Sequence, residues 1–271
     1  MITDSLELIR KRHSVRTFDG NALKEPDQAL LERCAAKLTN PFHIPVEFRF
    51  LKAQEHSLSS PVILGTDLYV GAKVKRQDHF ELGYGYSFES FCLYAESLGI
   101  GTVMLAATFS RDTFEKAMDL AEGEVLPCVS PVGYPASKKS VRETMMRKAI
   151  RADDRLPFEQ LFFDGTPDRP LSVQTAGVFA DCLEMVRLAP SAANRQPWRA
   201  VLQGQTVHFY ELKSMKDSPL GDIQKVDMGI ALSHFDLTAK EKGISGAFFF
   251  ASPDMPVPEN MHYMVSFGVK A

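Results

Sequence analysis

The chain has no paired cysteines, no long apolar run and little net charge, and each absence narrows what it can be. Its four cysteines, Cys34, Cys92, Cys128 and Cys182, are scattered without a C-x-x-C pair and sit in apolar segments. Free thiols there pack as small hydrophobes, which points to a reducing, cytoplasmic setting. No apolar run approaches the roughly 18 residues that a membrane span needs. The stretch Met1-Ile2-Thr3-Asp4 has no basic region leading into an apolar core, so neither a span nor a signal peptide is expected. The histidines show no H-E-x-x-H or other metal-ligand spacing, and no G-x-S-x-G is present. Gly99-Ile100-Gly101 lacks the third glycine of a dinucleotide fingerprint and follows a helix pattern rather than a strand. Metal, serine-hydrolase and Rossmann chemistry are thus disfavoured. A net charge of −3 gives no overall pull toward nucleic acid or anionic membrane, while leaving room for a local basic pocket that takes a small anion.

With 271 residues, 45% of them hydrophobic, the chain can bury a large core without disulfides or metals. Asp4, followed three residues on by Glu7, reads as the cap of a short helix running into Arg10-Lys11-Arg12. Leu30, Cys34 and Leu38 predict a second helix after Pro26, and the alternation Val46, Phe48, Phe50 predicts a strand. Phe88, Phe91, Cys92, Ala95 and Leu98 form a buried helix face stopped at Gly99. A short central strand is expected over 102–105, a helix over 111–120 and a strand over 129–132. Residues 136–172, rich in Lys and Arg, read as a connector, and the basic cluster from Lys138 to Arg155 reads as a solvated face. Phe179, Cys182, Leu183 and Val186 then predict a helix, 200–212 two strands around Gln203-Gly204-Gln205, 228–242 a helix, and 247–250 and 264–267 strands.

The two ends of the chain resemble each other. An offset of 144 aligns Gly85 with Gly229, Phe91 with Phe235, Leu93 with Leu237, Gly99 with Gly243 and Ile100 with Ile244. Upstream, the segment from Cys34 to Pro41 parallels that from Cys182 to Pro190. A repeated helix, glycine stop and apolar strand suggests an internal duplication.

Two segments carry the chemistry. Arg12-His13-Ser14-Val15-Arg16 gathers two guanidiniums and a hydroxyl, which suit phosphate oxygens. Ala189-Pro190-Ser191-Ala192-Ala193-Asn194-Arg195-Gln196-Pro197-Trp198 concentrates small polar groups between two prolines, suited to the polar edge of a planar heterocycle. Together with Leu98-Gly99-Ile100-Gly101-Thr102 and Pro131-Val132-Gly133-Tyr134-Pro135, these motifs resemble the flavin-mononucleotide (FMN)-dependent nitroreductases. The order is most similar to a bacterial and archaeal subgroup whose Pro-Ser-x-x-Asn-x-Gln-Pro-Trp motif comes late.

The resemblance implies an α+β fold, a β-sheet flanked by helices, with two similar halves forming an intramolecular pseudo-dimer. The halves would be residues 1–135 on the flavin phosphate side and 173–271 on the Ser191 and Asn194 side, joined by 136–172. It further implies that Arg12, Ser14 and Arg16 bind the FMN phosphate, with His13 supplying backbone contacts and Arg155, before Leu156-Pro157, assisting. Pro190, Ser191 and Asn194 would reach the flavin from the other half. Ala106 and Ala107 stand where the family carries a glycine pair near the flavin N5. The implied reaction passes hydride from NADH or NADPH through FMN to a small acceptor such as a nitroaromatic or quinone. No catalytic side chain, metal, nucleic acid or membrane partner is expected, and the chain would be a monomeric pseudo-dimer or a homodimer of it. The alternative is a flavin-binding or regulatory protein of the same fold with little turnover, suggested by the alanine pair.

Overall fold

The structure is a computed structural model and describes residues 4–269. Two five-stranded sheets are each backed by one long helix, and the two helices pack on each other between the sheets. The first sheet holds β1 (Val46–Lys52), β2 (Leu68–Lys75), β3 (Gly101–Thr102), β4 (Glu124–Val125) and β5 (Val129–Gly133) in the order β1-β2-β5-β3, with β4 paired to β2. The second holds β6 (Phe162–Asp164), β7 (Trp198–Gln203), β8 (Thr206–Leu212), β9 (Gly246–Phe249) and β10 (Met261–Val269) in the order β6-β7-β8-β10-β9. Apart from the short β4 and β6, both sheets run first, second, fourth, third in chain order with antiparallel pairing throughout. These antiparallel sheets with helices packed on them are the α+β architecture expected. β6 lies parallel to β7, with Phe162 opposite Ala200.

The helices are α1 (Ser5–Lys11), α2 (Glu25–Ala35), α3 (Ala53–His56), α4 (Phe80–Ser97), α5 (Arg111–Ala117), α6 (Val141–Ala149), α7 (Phe158–Leu161), α8 (Ala180–Leu188) and α9 (Ile223–Glu241). Residues 136–172 therefore hold α6, α7 and β6, and β6 extends the second sheet. Both long helices are buried on nearly every face, and their buried polar residues pair with one another or with neighbouring elements. α4 joins α2 and the first sheet in one core through Phe88, Phe91 and Tyr84; α9 joins α8 and the second sheet in another through Phe235 and Leu232.

α4 and α9 meet at Gly85 and Gly229, two positions that the 144-residue offset equates. A Cβ on Gly85 would lie 2.0 Å from the Val226 carbonyl oxygen, and one on Gly229 would lie 2.3 Å from that of Leu82. Only glycine allows the two backbones this contact. One turn further along, Ser90 Oγ sits 3.1 Å from Ser233 Oγ and Glu89 Oε1 2.9 Å from His234 Nε2. Shifting each partner by 144 turns one of these pairs into the other.

Several sequence expectations need correction. Asp4 stands at the N-cap of α1 but makes no side-chain capping bond. Glu241 of α9 accepts from the Leu6 N–H at 3.2 Å and from the Ser5 hydroxyl instead, so the cap comes from a distant helix. The strand expected over 102–105 shortens to Gly101–Thr102, because the Val103 N–H donates to Ser130 Oγ rather than to a neighbouring backbone. The helix expected over 111–120 ends at Ala117, and α9 begins at Ile223, where Asp222 caps it by accepting from the Gln224 N–H. β2 escaped the sequence reading altogether. It is buried from Leu68 to Val74, so it has no polar alternation to reveal it, and its Lys73 is neutralised by Glu124 at 2.8 Å.

Gly229→Ala is expected to cost about 2 kcal/mol of stability by overpacking the crossing. Gly85→Ala should cost a similar amount, and the double variant should depart from additivity because the two residues touch. Urea unfolding checks all three.

Candidate functional site

Leaving α1, the chain lies beside the first sheet. The Val15 N–H donates to the Thr102 carbonyl at 2.9 Å, and Ser14 bridges Thr102 in parallel. Gly101 makes this approach possible, since a Cβ there would come within 2.8 Å of the Val15 side chain. The second glycine of Leu98-Gly99-Ile100-Gly101-Thr102 thus serves to seat the Arg12–Arg16 segment. Val15 is buried in the core, which turns Ser14 and Arg16 the other way. His13 is exposed, and its ring nitrogen Nδ1 lies 3.3 Å from the Lys11 carbonyl.

Arg16 is buried, and its Nε and Nη1 have no hydrogen-bond partner. Burial holds its pKa below the usual arginine value; Glu143 opposes the shift, while Arg147 and Arg12 add to it. Arg155 is lowered in the same way, by burial first and then by Arg12, with Asp153 opposing and Arg187 and Arg147 adding. Arg12 and Arg147 therefore lie within electrostatic reach of both Arg16 and Arg155. Such a cluster is unfavourable alone, and its chemistry suits an anion. Two buried carboxylates offset it in part: Glu89 contacts Arg12 Nε at 3.0 Å, and Glu143 lies near Arg16 while accepting from the Thr17 hydroxyl at 2.8 Å. Arg147 pairs with Asp153.

The second predicted segment comes to the same place. Arg155 donates to the carbonyls of Ala152 and Asp154 and lies 3.5 Å from Asn194 Oδ1. Asn194 in turn donates to the carbonyls of Arg151 at 2.7 Å and Asp154 at 3.0 Å. Ser191 Oγ accepts from the Gln196 N–H at 2.9 Å, and the half-buried Pro190 precedes it. Ala193, Asn194 and Gln196 all have left-handed φ, near 50°, which is strained for non-glycine residues. The loop is pinned by buried Asp227, whose carboxylate accepts from the Ala192 N–H and whose pKa burial pushes well above the ordinary aspartate value. Arg12, Arg155 and Asn194 are thus brought together, with Arg16 within reach of Arg12 and Arg147. Ala106 and Ala107 follow β3 on the same sheet, and neither has left-handed φ. Ala106 borders a small cavity of about 50 Å³ shared with Glu81, Gly221 and Val226.

A family model described as "Putative TM nitroreductase" matches residues 4–239. The chain belongs to this nitroreductase family. A Thermotoga maritima protein described as a putative nitroreductase has a similar fold, with a TM-score of 0.66 at 21% identity over 98% of this chain and 94% of that one. An FMN-dependent nitroreductase from Clostridium difficile is similar over 49% of this chain and 88% of its own, at 12% identity and a TM-score of 0.42. A protein from Bacteroides thetaiotaomicron described as a putative NADH dehydrogenase/NAD(P)H nitroreductase is similar over 52% and 91%, at 23% identity and a TM-score of 0.43. No curated protein matches the chain.

In this nitroreductase-family chain the sequence reading missed Arg147, Glu143, Glu89 and Asp227. Arg147 and Glu143 lay in a stretch read as a solvated face, and the i, i+4 pair on α6 was the available signal. Glu89 and Asp227 are acidic residues inside strongly apolar helix patterns, a cue that sequence alone offers for a buried, paired group. Among the described residues, no helix is long and apolar enough to cross a membrane, and no group of three or more His, Cys, Asp or Glu is placed to hold a metal ion.

Because Arg16 is buried with two unpartnered nitrogens beside other guanidiniums, Arg16→Met should raise the thermal midpoint of the ligand-free protein by about 2–4 °C. The same variant should lose the stabilisation that added inorganic phosphate gives the parent. Thermal shift assays with and without phosphate check both halves.

Proposed function

We propose that this chain is an FMN-dependent oxidoreductase that takes hydride from NADH or NADPH and passes electrons to a small acceptor such as a nitroaromatic or quinone. The observation that carries the reading is the buried Arg16 guanidinium, with two unpartnered N–H groups in a cluster of arginines, which fits a phosphate dianion. Bound FMN would supply the redox chemistry, accepting a hydride and releasing electrons. The chain's residues bind and orient: Arg12, Ser14 and Arg16 hold phosphate, backbone near His13 and the Arg155 guanidinium lie beside them, and Pro190, Ser191 and Asn194 approach from the second sheet. Ala106 and Ala107 offer backbone N–H donors without left-handed strain, which removes one objection to turnover.

The same reading treats residues 1–135 and 173–271 as two halves of an intramolecular pseudo-dimer, in the subgroup whose Pro-Ser-x-x-Asn motif comes late. Supporting it are the matching strand orders and the exchange of Ser90–Ser233 for Glu89–His234 under the 144-residue offset. Only one flavin site is then complete. The counterpart of Ala106 is Phe250, and the counterpart of the Ser191 loop carries Phe42. Phe42 packs on Phe248 at 5.8 Å and Phe250 at 6.0 Å between ring centroids, and His79 stacks on Phe250 at 3.9 Å. Aromatic rings fill the second place. Arg12, Arg155 and Asn194 already converge within one chain, which favours an intramolecular site over one shared between chains.

Titration of apo-protein should give one FMN per monomeric chain by absorbance and light scattering, and NADH or NADPH should bleach the bound flavin anaerobically until an acceptor restores the colour. Arg16→Ala should weaken FMN binding by about 1.5–3 kcal/mol, the scale of a charge-assisted hydrogen bond. Two flavins per chain, or binding confined to dimers, would overturn the single intramolecular site.

A further inference from the structure

A large opening lies away from the arginine cluster. A cavity of about 980 Å³ lies between α2, α4 and α9, and none of the flavin-site residues named above lines it. The i, i+4, i+8 stripe Tyr86, Ser90 and Tyr94 of α4 forms one wall, while Glu89 turns away toward Arg12.

Helix α1 shows what this cavity corresponds to. Leu6 and Ile9 of α1 pack on Leu93 and Met185, and Lys11 pairs with Glu96 at 3.6 Å. The 144-residue offset takes Leu93 to Leu237 and Glu96 to Lys240; the Cys34–Cys182 alignment takes Met185 to Lys37 and Asp181 to Arg33. Leu237, Lys240, Lys37 and Arg33 all line the cavity. It is thus the counterpart of the slot that α1 fills, with no helix in it.

The counterpart has the opposite charge. Where the α1 slot offers Glu96 to Lys11, the cavity offers Lys240, with Arg33 and Lys37 beside it and Lys37 replacing an apolar methionine. A second α1-like helix, with its basic Arg10-Lys11-Arg12 end, would be repelled. The acidic groups at the cavity are few: Glu241 is already engaged by Ser5 and Leu6, and Asp4 sits at the exposed edge. Lys240 is paired with Asp236, whereas Arg33 and Lys37 are exposed and have no ion-pair partner among the described residues. The floor is apolar and aromatic, through Leu30, Leu38, Leu237 and the two tyrosines. The volume falls in the range of about 300–1,000 Å³ found for small-molecule pockets.

We infer that the cleft between α2, α4 and α9 is a second ligand site that binds an apolar, aromatic small-molecule anion, its ring body against Tyr86, Tyr94 and Leu237 and its acid group at Arg33 and Lys37. The assignment uses the correspondence between the halves but not the identity of the flavin.

The purified chain should bind one equivalent of 8-anilinonaphthalene-1-sulfonate with enhanced fluorescence, and benzoate should displace it. Arg33→Glu combined with Lys37→Glu, both on exposed positions, should weaken binding of this probe about tenfold. The uncharged N-phenyl-1-naphthylamine should bind that variant as it binds the parent, and Leu30→Trp should block both probes by filling the floor. Equal sulfonate binding by parent and double variant would overturn the inference, as would unchanged binding of both probes to Leu30→Trp. Dimerisation through this face, reversed by the probe, would assign the cleft to a second copy instead. FMN titration of the same variants keeps the outcomes separate, since loss of flavin binding in the parent would sink the flavin reading and leave the cleft untouched.

Discussion

Backbone contact between α4 and α9 at Gly85 and Gly229 is the constraint on which the rest depends. With no side chain between them, the two helices bring their flanking residues into register, so that Ser90 meets Ser233 and Glu89 meets His234. Each sheet packs on the outer side of its own helix, and the distance between the sheets follows from the crossing. Arg12 can meet a carboxylate of α4 that also meets a histidine of α9 only because the crossing is this tight.

The 144-residue offset equates two helix clefts that differ from each other in one molecule. One holds α1, which carries the chain on to Arg12 and Arg16 and is itself held by Glu241 from the far end of α9. The other is open, with its charges reversed. In the proposed pseudo-dimer, the polar Ser191 loop likewise stands opposite the aromatic plug of Phe42, Phe248 and Phe250. A homodimer cannot differ in this way, since any substitution appears on both sides of its axis; the two halves of the proposed pseudo-dimer can.

The arginine cluster is costly to the empty protein. Burying Arg16 with Nε and Nη1 unpartnered, near other guanidiniums, sacrifices solvation. Glu89 and Glu143 offset part of that cost, and the left-handed residues of the 190–196 loop add strain. Cost and strain are concentrated at one place, where the proposed flavin site lies.

Much of this was legible in the residues. The order of the motifs gave the family, the 144-residue offset equated the two glycines that turn out to touch, and the spacing of Phe88, Phe91, Cys92 and Ala95 marked the face of α4 that packs on the first sheet. Those features are local or periodic, so the sequence by itself determined them. It did not disclose β2, whose uninterrupted burial erases alternation, or that Glu241 caps a helix more than two hundred residues away. Nor did it show that Arg147 joins the cluster or that an open cleft mirrors the α1 slot. Each of these depends on which distant surfaces meet and on which charges are thereby desolvated, and only the packing of one half against the other decides that.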